Sequence, residues 1–131
     1  PETLRAPHRA EAGGLSGQPL NDMAQQMMAE ATAFLRRTGT SAGLIGVGGI
    51  GSAEQAYARL LAGADLLQLY TALTIGGPLM VTRILTGLHR MMAADGVSVA
   101  AEVKEAGLSA EQAVRHAAHV ARESATFQSD N

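Results

Sequence analysis

Four short stretches carry residue types that could do chemistry. Leu44 to Ser52 reads LIGVGGIGS, and its glycines at 46, 48 and 51 satisfy G-x-G-x-x-G. In that pattern a backbone turn admits the pyrophosphate of a dinucleotide, and an acidic side chain closing the next strand meets a ribose. Asp65 lies at about the right separation for this, but it opens the next strand and so faces the wrong end of the sheet. The same glycines imitate a P-loop, except that Gly51 stands where the phosphate-binding lysine must be. Around Ser16, GGLSGQ approximates a nucleophile elbow, but Gln18 replaces the second glycine and no strand precedes it. His116 and His119 are spaced to share one face of a helix and reach a metal, yet no Asp or Glu is read on that face with them. No metal site and no catalytic residue is assigned.

Backbone chemistry survives these exclusions. Glycines after a strand let the main chain approach a ligand closely, and free N–H groups at a helix start attract an anion without any charged side chain. A second such place follows in QLYTALTIGGP, where a strand ends in Tyr70 and Thr71. Consecutive strand ends presenting backbone donors are the arrangement of the phosphate site after strands seven and eight of a (β/α)8 barrel. The plainer reading of GVGGIG is a tight turn packed on its helix.

These loops need elements to hold them. Residues 1–20 read as loop, and a helix is expected over 21–38, capped by Asn21 or Asp22 and stopped by Gly39. Its expected apolar stripe is Met27, Met28, Ala31, Phe34 and Leu35. Strands are expected at 44–47, buried on both faces, and at 65–70. Between them Ser52 and Gln55 form a capping-box signature for a helix ending near Gly63. Pro78 opens a further helix with Val81, Ile84, Leu85, Leu88 and Met92 along one face. Ser109 and Gln112 suggest a last helix reaching about Ser124. Met80, Met91 and Met92 read as core packing. His8, His89 and the pairs Arg36–Arg37 and Arg83–Arg90 read as solvated.

The order is the α/β alternation of a parallel sheet. Two parallel strands alone would leave both edges unpaired, so partner strands must come from other chains or, preferably, from a larger domain.

Composition narrows the partners. The 131 residues carry a formal charge of −2 and four aromatic side chains, so neither electrostatics nor stacking favours nucleic acid. The absence of cysteine removes disulfides and thiolate metal sites. The most apolar run, Leu60 to Val81, is interrupted by Asp65, Gln68 and GGP and is no membrane span. The first residues, PETLRAPHRAEAGG, lack the apolar stretch of a signal peptide.

EAGGLSGQPL (11–20), LIGVGGIGSAEQAYARLLAGADLLQLYTAL (44–73) and GGP (76–78), in this order and spacing, resemble the C-terminal part of the quinone-dependent (class 2) dihydroorotate dehydrogenases. The resemblance covers roughly residues 1–97, and QLYTA after AGADLL favours class 2 over class 1. It implies the last two strands and flanking helices of an FMN-binding (β/α)8 barrel, with residues 98–131 added as a helical extension and polar tail that do not align. It also implies a function: oxidation of dihydroorotate to orotate in pyrimidine synthesis, with electrons passing to FMN and then to a membrane quinone. Carried over residue by residue, Gly17, Gly49, Tyr70 and Thr71 match the positions whose backbone holds the FMN phosphate, with Ser16 and Gly48 beside them.

In that family a serine base, asparagines and a lysine serve the substrate. All lie in the part of the barrel before its sixth strand, or in an N-T-T element expected just ahead of Pro1. The chain therefore reads as a cofactor-binding fragment, inactive alone and poorly stable without the missing strands. The full-length enzyme is expected as a peripheral protein on the cytoplasmic side of the inner membrane. Two alternatives remain open here: another FMN- or phosphate-binding barrel, and a non-catalytic phosphate-binding assembly module.

Overall fold

The computed structural model describes residues 13–98, 103 and 108–126. Two parallel strands, β1 (Ile45–Val47) and β2 (Leu66–Gln68), pair in the register Ile45 to Leu66, Gly46 to Leu67 and Val47 to Gln68. Both are shorter than expected: β1 begins one residue later, at Ile45, and β2 lacks Asp65 at its start and ends at Gln68, where the chain turns away toward a short helix.

Five helices accompany them among the described residues: α1 (Asn21–Thr38), α2 (Ala53–Leu61), α3 (Thr71–Gly76), α4 (Leu79–Ala94) and α5 (Ala110–Thr126). A 3-10 turn at Gln18–Leu20 leads into α1. The expected stop at Gly39 is present, with the Thr40 amide bonded back to Leu35. Ser52 caps α2 by accepting from the Gln55 amide at 3.2 Å, while the Gln55 side chain returns to the Gly51 amide at 2.9 Å. Ser109 and Gln112 exchange two bonds of the same kind at the start of α5. Pro78 stands at the cap of α4, one residue ahead of its expected place inside the helix.

The core is built around α2. Its residues Ala56, Tyr57, Ala58, Leu60 and Leu61 are all buried, with α1, α4 and α5 packed about it. A helix apolar on most of its circumference belongs at the centre of a layer, and AEQAYARLL is such a sequence. Ile84, Leu88 and Met91 from α4 complete this core with Ala113, Ala117 and Val120 from α5.

Two expected helix faces are rotated. Met27 and Phe34 are exposed on α1, while Gln25, Met28 and Thr32 face inward. The polar pair is buried because each side chain satisfies a backbone carbonyl of the α2 segment: Gln25 Nε2 donates to Ala58 and Thr32 Oγ1 to Ala62. On α4, Met91 is buried as expected with Ile84 and Leu88, whereas Val81 and Leu85 of the expected stripe are exposed.

The sheet is covered on one side only. Gly46 and Leu67 face the helices, whereas Ile45, Val47 and Leu66 are 54%, 50% and 63% exposed on the opposite face. Burial of β1 on both faces is thus not met within this chain, since no described element packs on that side. Residues 1–12, including His8 and most of the expected N-terminal loop, lie outside the described residues, as do 99–102, 104–107 and the tail 127–131.

Candidate functional site

At the C-terminal ends of β1 and β2 the loops enclose a cavity of about 370 Å³. Three segments line it: 16–20 ahead of α1, 47–51 after β1, and 68–72 after β2, with Ile75, Gly76 and Met80 at its side. Ser16, Gly17, Gly48, Gly49, Tyr70 and Thr71, the six positions singled out from the sequence, all line this one cavity. Among the described residues, no Lys, Arg, His, Asp or Glu lines it. An anion entering it would therefore meet main-chain amides and small polar groups.

The glycines have separable jobs. Gly48 and Gly49 adopt φ of +93° and +72°, and a Cβ on Gly49 would collide with the Asn21 backbone at the start of α1. Gly46 has an ordinary φ; its lost Cβ makes room for Arg59, whose Cγ would lie 2.5 Å away. At Gly51 an added Cβ would meet only ordinary contacts of 3.5 Å or more. Gly46 and Gly49 of this loop thus meet packing demands set by Arg59 and α1.

Arg59 is the residue that motif reasoning missed. It is fully buried on α2 beneath the glycine loop. Its Nε donates to Gln25 Oε1 at 2.8 Å, one terminal nitrogen donates to the Val47 carbonyl at 3.0 Å, and the other to the carbonyls of Asn21 and Gly48, each at 3.2 Å. Burial lowers its pKa from the ordinary value, yet a guanidinium stays charged at any working pH. The signal was a lone cation inside the apolar run AYARLLAGA.

The other residues weighed from the sequence take the following places. Asp65 lies at the start of β2, where its carboxylate accepts from the Leu44 amide at 2.7 Å, away from the cavity. Ser16 lines the cavity, but no strand precedes it among the described residues and no histidine lines the cavity with it. His89 is exposed on α4.

His116 corrects another expectation. The reading of its face missed two acids: Glu123, one turn beyond His119 and 3.4 Å from it, and Asp95 from the end of α4, whose carboxylate is 2.8 Å from His116 Nε2. Tyr57 donates its hydroxyl to the same carboxylate. Burial, reinforced by the hydrogen bond and charge of Asp95, pushes the Tyr57 phenol well above its usual value. Burial alone would raise Asp95, but the bonds from Tyr57 and His116, with the charges of His116 and His119, bring it below the ordinary carboxylate value. Among the described residues no group of three or more His, Asp or Glu is placed to hold a metal. This cluster pins α5 to α2 and α4, far from the glycine cavity in the fold.

Two adjacent parallel strands whose C-terminal ends share a glycine-lined cavity, with helices behind them, define an α/β protein of the kind found in part of a (β/α)8 barrel. A family model described as dihydroorotate dehydrogenase matches residues 2–92, and the chain belongs to that family, in its quinone-dependent class. The chain is 46% identical over 100 residues to the dihydroorotate dehydrogenase (quinone) of Deinococcus radiodurans, covering 76% of this chain and 26% of that protein. With the protein of the same name from Agrobacterium fabrum the identity is 40% over 108 residues, 82% of this chain and 29% of the relative. A crystal structure of ligand-free DHODH from Eimeria tenella superposes with a TM-score of 0.71 at 28% identity, covering 81% of this chain and 29% of that one. The chain thus spans between a quarter and a third of the length of these relatives.

Proposed function

We propose that this chain forms the FMN-phosphate-binding part of a quinone-dependent dihydroorotate dehydrogenase. The whole enzyme oxidises dihydroorotate to orotate, and electrons leave through FMN to a quinone. β1 and β2 are then the seventh and eighth strands of the barrel, and α1 its sixth helix. The observation that carries this reading is the convergence of Ser16, Gly17, Gly48, Gly49, Tyr70 and Thr71 on one cavity at the strand ends.

The fit to a flavin phosphate rests on the loop itself. Among the described residues no loop hydrogen bond engages the Gly49 amide, while the Gly48 amide continues the β1–β2 ladder toward the Gln68 carbonyl. The φ of +93° and +72° make this a concave nest of donors, which suits a phosphate. Gly17 packs against Thr71, where an added Cβ would lie 3.0 Å from Thr71 Cγ2, so the loop ahead of α1 and the end of β2 close the site together. When bound, the flavin supplies the hydride acceptor. The residues of this chain orient it by its phosphate and take no proton. The base and the substrate-binding side chains belong to the portion of the relatives that these 131 residues do not span.

Two assays test the proposal on the same preparation. Titrated into FMN, the chain should quench the isoalloxazine fluorescence saturably. Supplied with dihydroorotate, FMN and a quinone analogue, it should give no orotate above the protein-free rate. Absence of saturable FMN binding, or robust turnover by the chain alone, would contradict the assignment.

A further inference from the structure

A guanidinium with no solvent exposure needs compensation, and here it comes from neutral groups alone: the Gln25 side chain and three main-chain carbonyls. Among the described residues no carboxylate pairs with Arg59. Buried cations are ordinarily paired or matched to a bound anion. Resting on the phosphate-site reading above, we infer that Arg59 is a positioning residue that fixes the Gly48–Gly49 turn, aims the Gly49 amide into the cavity and supplies the buried counter-charge for the phosphate.

The aiming follows from peptide geometry. Every peptide bond described is trans, so each N–H points opposite to the carbonyl of the same peptide unit. Arg59 draws the Val47 and Gly48 carbonyls toward the helix layer, and the amides sharing those two peptide planes belong to Gly48 and Gly49. Both amides therefore face away from Arg59: that of Gly48 toward the Gln68 carbonyl of the paired strand, and that of Gly49 toward the cavity that both residues line. The third carbonyl bond, to Asn21, ties the start of α1 to the same guanidinium, and the Gln25 side chain spans from Arg59 to the Ala58 carbonyl. The cation also acts at a distance. Across one peptide unit and one hydrogen bond, it lies about 8 Å from a phosphate oxygen on the other side. Through an effective dielectric of about 20, a unit charge at that distance changes anion affinity about 30-fold.

The test separates charge from scaffold by comparing FMN with riboflavin, which lacks the phosphate. In the full chain, Arg59→Met should weaken FMN binding about 10- to 100-fold while leaving riboflavin affinity nearly unchanged. Arg59→Lys, which keeps the charge, should recover most of the FMN preference. A merely structural role would weaken both ligands together in Arg59→Met. The unaltered chain gives a measurement that needs no variant to fold: inorganic phosphate should move the Gly49 amide proton resonance downfield and leave Gly51, already bonded to Gln55, nearly still. An FMN preference unchanged in Arg59→Met, or phosphate shifts that bypass Gly49, would overturn the role of Arg59 and leave the flavin site standing. Failure of the unaltered chain to bind FMN at all would overturn both.

Discussion

Gly49 carries two constraints at once, a φ of +72° and a missing Cβ that the Asn21 backbone would otherwise meet. Gly49→Ala should therefore cost about 1–3 kcal/mol or more, read as a fall in the urea midpoint of the chain. Tyr70, by contrast, is 79% exposed, and Tyr70→Phe should stay within about 0.5 kcal/mol in the same experiment. Asp95 predicts a pH dependence. Its carboxyl is held below the ordinary value in the folded chain, so its stabilisation is present above the unfolded pKa of about 4 and is lost as pH falls through the lower folded value. Acid titration of the midpoint should show this loss, and Asp95→Asn should flatten it while leaving Tyr57 and His116 poorly matched. The loops were legible at this scale because glycine spacing and the end of a strand are local signals. Arg59 and the Tyr57–Asp95–His116 cluster were not, because their partners lie 11–38 positions away in sequence and only packing brings them together.

Caps that span three or four residues let Ser52, Ser109 and Gly39 be read directly, but the cap expected at Asn21 or Asp22 is not formed, because the 3-10 turn Gln18–Leu20 runs straight into α1 with Leu20 at its cap. Helix faces were harder. A stripe of large apolar residues placed Met27 and Phe34 inward on α1, but Gln25 and Thr32 take that face by bonding carbonyls of the α2 segment. Hydrophobic periodicity weighs apolar side chains alone and gives no weight to a buried acceptor awaiting a donor. The consequence is measurable on α1. Met28→Ala should destabilise by about 2 kcal/mol or more, since Met28 is in the core, while Met27→Gln changes the denaturation midpoint little. Equal losses at the two positions would mean that α1 is turned as its apolar stripe suggests.

At the scale of the molecule, the chain has a continuous core on the helix side of its sheet and a bare apolar face on the other. Ile45, Val47 and Leu66 on that face are the side chains a closed barrel would turn inward. Low stability for a chain of this size is the expected consequence. It should appear as a low thermal midpoint and as binding of a hydrophobic dye that Ile45→Glu reduces. No helix among the described residues is long and apolar enough to cross a membrane. The site sits at the rim of that sheet, so its claim can be tested apart from the exposed apolar face. The direct measurement is competition at equilibrium among FMN, riboflavin and inorganic phosphate on the unaltered chain. FMN should bind at least about 10-fold more tightly than riboflavin, with phosphate displacing FMN and leaving riboflavin untouched, as expected where main-chain donors grip the anion. Equal affinity for the two flavins, with no effect of phosphate, would contradict the account.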